Sequence, residues 1–107
     1  MPRTPRMDQL EALLADEPDD AFLCYGLAME HTSAGDDATA AQLLLELIER
    51  KSTEPYVPAF LQAGQALMRL GRESDAAKVL KQGIDVAKQA GDLHAMGEMQ
   101  GLLATVE

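Results

Sequence analysis

Few side chains in this sequence are equipped for covalent or metal chemistry, and they do not cluster. Histidine occurs at His31 and His94 and cysteine only at Cys24. A structural zinc needs four converging Cys or His ligands, so no zinc constellation is expected, and a single thiol leaves no internal disulfide. Adjacent or turn-spaced acids occur at Asp36-Asp37 and Glu46-x2-Glu49. Paired catalytic carboxylates need a pocket that flanks the bond to be broken; on helices these spacings read as caps and solvated surface. His31 falls on an apolar stripe and reads as a packed polar residue, while His94 reads as exposed near a helix start. Gly71-Arg72-Glu73 lacks the Lys-Ser/Thr ending of a phosphate-binding loop. Gly97-x3-Gly101 reads as a packing groove between helices. These residues predict no catalytic site, no metal and no cofactor.

Composition narrows the class. The chain has 107 residues, enough for one domain with a genuine core. Hydrophobic residues make up 47% and aromatics only 4%, with no Trp, so the core must come from Leu, Ala, Met, Ile and Val, a helix-forming palette. The formal charge is −9 and the isoelectric point about 4.5, which opposes contact with a nucleic-acid backbone or an anionic membrane surface. No apolar run approaches the roughly 20 residues that span a bilayer. The acid excess fits either a solvated surface or adaptation to high salt. The opening Met1-Pro2-Arg3-Thr4-Pro5-Arg6 carries two arginines, but Asp8, Glu11 and Asp16 interrupt the next stretch, so no export signal is expected. With one unpaired thiol, a reducing, cytoplasmic setting is expected.

The elements that position these residues are legible in a repeated pattern. Gly35-Asp36-x3-Ala40-Ala41-x2-Leu44-x3-Ile48 recurs as Gly71-Arg72-x3-Ala76-Ala77-x2-Leu80-x3-Ile84, a constant offset of 36 residues. Upstream, Ala28 pairs with Gly64 and Leu27 with Ala63 in the same register. The unit is a helix, a tight turn and a second helix, of the kind that stacks. Thr4-Pro5 starts a first helix with Leu10, Leu13 and Leu14 on one face, ended by Pro18. Asp19 or Asp20 caps a second, with Leu23, Leu27, Ala28 and His31 inward. Asp36 or Asp37 caps a third, carrying Ala40, Leu43, Leu44, Leu47 and Ile48. Pro55 or Pro58 opens a fourth, whose buried face is Ala59, Phe60, Ala63, Gly64, Leu67 and Leu70. A fifth carries Ala76, Val79, Leu80, Ile84 and Ala87 up to Gly91, with Gly83 as a point of close approach. Leu93 to Thr105 forms a sixth, with Met96, Met99, Leu102 and Leu103 inward.

These residues resemble the tetratricopeptide repeat (TPR) family: Ala28, Gly35, Ala40 and Leu44 occupy its small, turn, small and large positions once, and Gly64, Gly71, Ala76 and Leu80 again. The resemblance implies an all-α, right-handed superhelix of antiparallel helix hairpins with about six helices. It divides the chain into a half repeat (5–18), two repeats (21–54 and 57–90) and a C-terminal capping helix (93–105). Two departures stand out. The period is 36 against the usual 34, with the extra residues placed in the Thr53 to Pro58 linker, and Cys24 replaces the large first-helix residue that Phe60 supplies in the second copy.

The resemblance also implies a function: a non-enzymatic module that binds a protein or peptide in the concave groove lined by first helices of repeats. Carried over by register, the peptide-binding positions are Phe22, Tyr25, Met29, Leu61, Gln65, Met68 and Arg69, with Ser33, Gln62, His94, Gly97, Glu98 and Gly101 beside them. The cationic clamp that some members use for acidic C-termini would fall at Tyr25, Met29, Pro58 and Gln62, none of them cationic. The alternative expectation is a self-associating stack, a homodimer through the C-terminal helix.

Overall fold

Thr4 opens the first helix: its hydroxyl accepts the Met7 amide at 3.1 Å, and Pro5 supplies the φ of the first helical position. The computed structural model describes residues 3–107, so Met1 and Pro2 of the N-terminal segment lie outside the described residues. Six helices run in order: α1 (Pro5–Asp16), α2 (Ala21–Ser33), α3 (Asp37–Arg50), α4 (Val57–Arg69), α5 (Glu73–Ala90) and α6 (Leu93–Val106). There is no strand among the described residues.

Carboxylates choose three of the starts. Asp20 accepts from Leu23 N–H at 2.9 Å, Asp36 from Thr39 N–H at 3.1 Å and Asp92 from Ala95 N–H at 3.0 Å, each satisfying an orphan amide of the first turn. Three ends share one device. Gly35, Gly71 and Gly91 adopt φ of 82°, 77° and 75°, a left-handed turn that costs only glycine nothing. In each, the next residue's N–H returns to the last turn: Asp36 to His31 O, Arg72 to Leu67 O and Asp92 to Ala87 O, at 2.8–2.9 Å. Asp36 and Asp92 therefore close one helix with their backbone and open the next with their side chain.

Each helix packs on its neighbours in sequence, and α4 also touches α6. Cys24, Ala28, Ala41, Leu44, Leu47, Ala63 and Leu67 share one core cluster; Phe60, Leu80, Ala87 and Met99 form a second under α6. The largest side chains sealed from solvent are Met7, Leu44, Leu47, Leu67, Leu80 and Met99.

Three expectations are corrected. Leu13 is 52% exposed, and Met7 with Leu10 forms the buried stripe of α1 instead, because α1 packs mainly on α2 and so has a narrower apolar face than an internal helix. Leu70 is 38% exposed: it is the C-cap of α4, past the last turn, and Ala66 takes the buried place. Gly97 and Gly101 form no packing groove within the chain, since nothing lies within 4 Å of a Cβ built on either.

Gly83 does mark a close approach. A Cβ there would stand 2.5 Å from Met99 Sδ and 2.6 Å from Phe60 Cβ. The Phe60 atom is fixed close to backbone, so overpacking of about 1–3 kcal/mol is expected for Gly83→Ala. Gly97→Ala, where space is open, is expected to be neutral or to stabilise by up to about 1 kcal/mol through helix propensity. Urea unfolding of the two variants checks both; equal midpoints would contradict this account of the packing.

Candidate functional site

The seven positions expected to bind a partner lie on α2 and α4, and none of them is fully buried. On α4, Leu61, Gln65 and Met68 follow i, i+4, i+7 and so share a stripe, each half-buried. Leu61 leans on the second core cluster and Met68 on both. On α2, Tyr25 and Met29 are half-buried one turn apart, while Phe22 near the helix start is 69% exposed.

Tyr25 joins the two helices. Its ring meets Tyr56, at the N-cap of α4, with centroids 5.3 Å apart and planes tilted by 49°, a geometry favourable to aromatic pairs. Burial first, then Tyr56, pushes the Tyr25 phenol above its ordinary value, and a hydrogen bond with Gln62 of α4 works against the rise.

Arg69 stands apart from the stripe. Its Nε donates to Asp37 Oδ1 at 2.9 Å, which ties the end of α4 to the first residue of α3. The other formal charges on α2, α4 and α6 are Glu30 and Glu98. Glu30 accepts from Thr4 Oγ1 at 3.0 Å and pairs with Arg6 at 3.6 Å; Glu98 faces His94 Nε2 at 2.8 Å. The face built by these three helices therefore offers apolar side chains, glutamine amides and few full charges: Glu30 and Arg69 are paired, and Glu98 faces a histidine that is charged only when protonated.

The remaining reactive groups have structural partners. His31 Nδ1 lies 3.8 Å from Asp36 Oδ2, and the Asp36 carboxyl is held below the usual carboxylate range, chiefly by its hydrogen bonds with Thr39. The Cys24 thiol donates to Pro18 O at 3.8 Å and lies 3.4 Å from Arg50 Nη2. Among the described residues no group of three His, Cys, Asp or Glu side chains could hold a metal.

Sequence reasoning missed a concavity on the opposite side. A cavity of about 550 Å³ opens between α3 and α5, lined by Leu45, Ile48, Leu67, Val79 and polar neighbours, and a second of about 330 Å³ continues it past Phe60 and Val86. None of the seven expected positions lines either. The signal was present in Leu43-Leu44-Leu45, a run apolar on more sides of α3 than its neighbours cover.

Comparison with known proteins agrees with this architecture. Residues 2–55 match the family model described as tetratricopeptide repeat. The chain is similar to a TPR repeat-containing protein of Pseudomonas aeruginosa, 30% identical over 101 residues that make up 94% of each chain. It is similar to the solution structure of a tetratricopeptide repeat domain protein from Salinibacter ruber, with 35% identity, a TM-score of 0.75, and coverage of 84% of this chain and 89% of that one. The solution structure of a Bordetella parapertussis protein superposes with a TM-score of 0.80 over 97% of this chain and 89% of that one; at 23% identity it speaks to the fold alone.

The raised Tyr25 phenol gives a pH test. A folded-state value above the unfolded one means that the neutral phenol's stabilisation is complete below about pH 10 and is lost as pH rises through the folded value. Near-ultraviolet absorbance titration of Tyr25→Phe is expected to remove a phenol that ionises above the ordinary tyrosine range. Loss of one that titrates at or below that range would contradict the burial of Tyr25.

Proposed function

The chain belongs to the tetratricopeptide repeat family, and from that premise we propose that it is a non-catalytic interaction module holding a protein or peptide against the face of α2, α4 and α6. The observation that carries this reading is the half-open apolar stripe of Tyr25, Met29, Leu61 and Met68 on a face with few charges. Half-buried side chains are already ordered by the core beneath them, so a ligand covering them removes apolar surface from water without the full cost of fixing rotamers. Methionines at Met29 and Met68 adapt to varied shapes, Gln65 can exchange hydrogen bonds with a ligand backbone, and Phe22 and Arg69 flank the stripe. The repeats are read as 21–54 and 57–90, with 5–18 as a preceding half and 93–105 as the cap. A cytoplasmic location fits the single reduced thiol, and no helix among the described residues is long and apolar enough to cross a membrane.

A partner recovered with the chain as bait is expected to shift backbone amides on α2, α4 and α6. The double variant Tyr25→Ala, Met68→Glu is expected to weaken it at least about tenfold, near 1.4 kcal/mol, with helicity retained. Shifts confined to α1, α3 and α5 would overturn the reading.

A second reading rests on α6. Leu93 is 66% exposed, Gly97 and Gly101 face open space, and Glu98 is the sole charged residue within the helix apart from the histidine. In a chain of net charge −9, this is a surface on which two copies can meet without strong repulsion. A homodimer through α6 is expected to dissociate on Gly97→Glu. Sedimentation showing a strict monomer at high concentration would remove it.

A further inference from the structure

The two cavities between α3 and α5 share Ile48, Ser52 and Gln82 and are one continuous trench. Its floor is α4, through Leu67 and Phe60, both buried. Its walls are Leu45 and Ile48 of α3 against Val79 and Val86 of α5. On α5 the lining positions 75, 78, 79, 82, 85 and 86 repeat at helical spacing, so the trench follows one face of that helix for about three turns, roughly 16 Å. Apolar positions spaced along a groove of that length match the side chains a docked helix presents at i, i+3, i+4 and i+7.

The rim says what kind of helix. Arg72 is already held by Asp75 at 2.8 Å. Lys78, Glu49 and Asp85 make no ion pair among the described residues, although each is exposed on the edge of the trench. Lys78 sits in the part bounded by Arg72, toward the Gly71 turn, and Asp85 in the part bounded by Pro55, toward the linker. They lie seven residues apart on α5, about two turns or 10 Å. On α5 one unpaired cation and one unpaired anion thus flank the apolar floor at its two ends, with Glu49 unpaired on the α3 wall.

We propose that this trench is a docking site, distinct from the α2, α4 and α6 face, for an amphipathic helix of a partner protein. The partner's apolar stripe carries a carboxylate that meets Lys78 and, two turns along, a basic side chain that meets Asp85. A uniformly basic helix would find carboxylates over most of this acidic surface, but only a helix with both signs at that separation satisfies the trench at both ends. The chain's own α6 does not: it contains no Lys or Arg to pair with Asp85.

The test uses a synthetic helical peptide with leucines at i, i+3, i+4 and i+7, one Glu and one Lys two turns apart, titrated into isotopically labelled protein. Amides around Ile48, Val79, Gln82 and Val86 are expected to shift. Lys78→Glu is expected to weaken binding three- to tenfold, as loss of one partly exposed pair allows, and a peptide with its Glu changed to Lys is expected to bind that variant better than it binds the parent. Lys78 is exposed, so circular dichroism should show an unchanged fold. Shifts confined to α2, α4 and α6, or affinity indifferent to Lys78→Glu, would overturn the proposal. A peptide of residues 93–107 that displaces the probe with equal strength would replace the partner helix by a second copy. Because this test reads the trench walls α3 and α5, while the other reading is tested on α2, α6 and the opposite stripe of α4, failure here is distinguishable from failure of that reading.

Discussion

The spacing of the helices rests on places where a Cβ has no room. At Gly64 a Cβ would lie 2.6 Å from Leu80 Cδ2, and at Gly83 it would collide with Phe60 and Met99. These two glycines let α4, α5 and α6 close around Leu80 and Met99, both sealed from solvent. The preceding unit solves the same problem with the bulk moved across the interface. Thirty-six residues earlier, Cys24 stands for Phe60 and Leu47 for Gly83, and both are buried in one cluster. A large first-helix residue with a glycine opposite is exchanged for a small one with a leucine opposite. Close-packed interiors tolerate such volume-conserving exchanges far better than unilateral changes. The missing aromatic in the first copy is thus a compensated swap.

The same packing sorts the charges. Helices α2 and α4 consist largely of small and apolar residues, with Glu30 and Arg69 near their C-terminal ends. The acids and bases fall mainly on α1, α3, α5 and the turns, where water reaches them. A chain of net charge −9 therefore has one side that is nearly uncharged and one that carries both signs. Electrostatics at that strength act over about a Debye length, roughly 8 Å at physiological salt, so a ligand approaching the two sides meets different fields.

Much of this was legible in the chain itself because each repeat states its own turn. Gly35 and Gly71 marked the left-handed ends, Asp36 marked a cap, and the constant offset assigned a face to most positions. Legibility failed where an element lacks neighbours on both sides. Periodicity cannot say that α1 is covered mainly by one helix, and so Leu13 reads as core when Met7 is. Leu70 continues an apolar period past the point where the helix has ended. Gly97 and Gly101 have the spacing of a helix contact, but whether another helix is present is a tertiary fact. The trench escaped for the converse reason: Leu45, Ile48 and Val86 are ordinary core-forming residues, and only the separation of α3 from α5 leaves them partly open.

Helix α4 is common to both proposed surfaces. Phe60 and Leu67, seven residues apart, face the trench, while Leu61, Gln65 and Met68 form the stripe used in the proposed groove. Ala59, Ala63, Gly64 and Ala66 occupy other positions and are buried, so the helix is gripped closely by α3 and α5 with little side-chain bulk to absorb a displacement. Phe60 is further pinned at Gly83. A docked helix pressing on Phe60 and Leu67 therefore has two outcomes: α4 moves as a body, carrying Leu61 and Met68 with it, or it is held more firmly where it stands. If either happens, occupancy of one side changes the free energy of occupying the other, and equilibrium linkage makes that change equal in both directions. Two partners on opposite sides of α4 would then be coupled through that one helix, because its side chains reach both proposed sites.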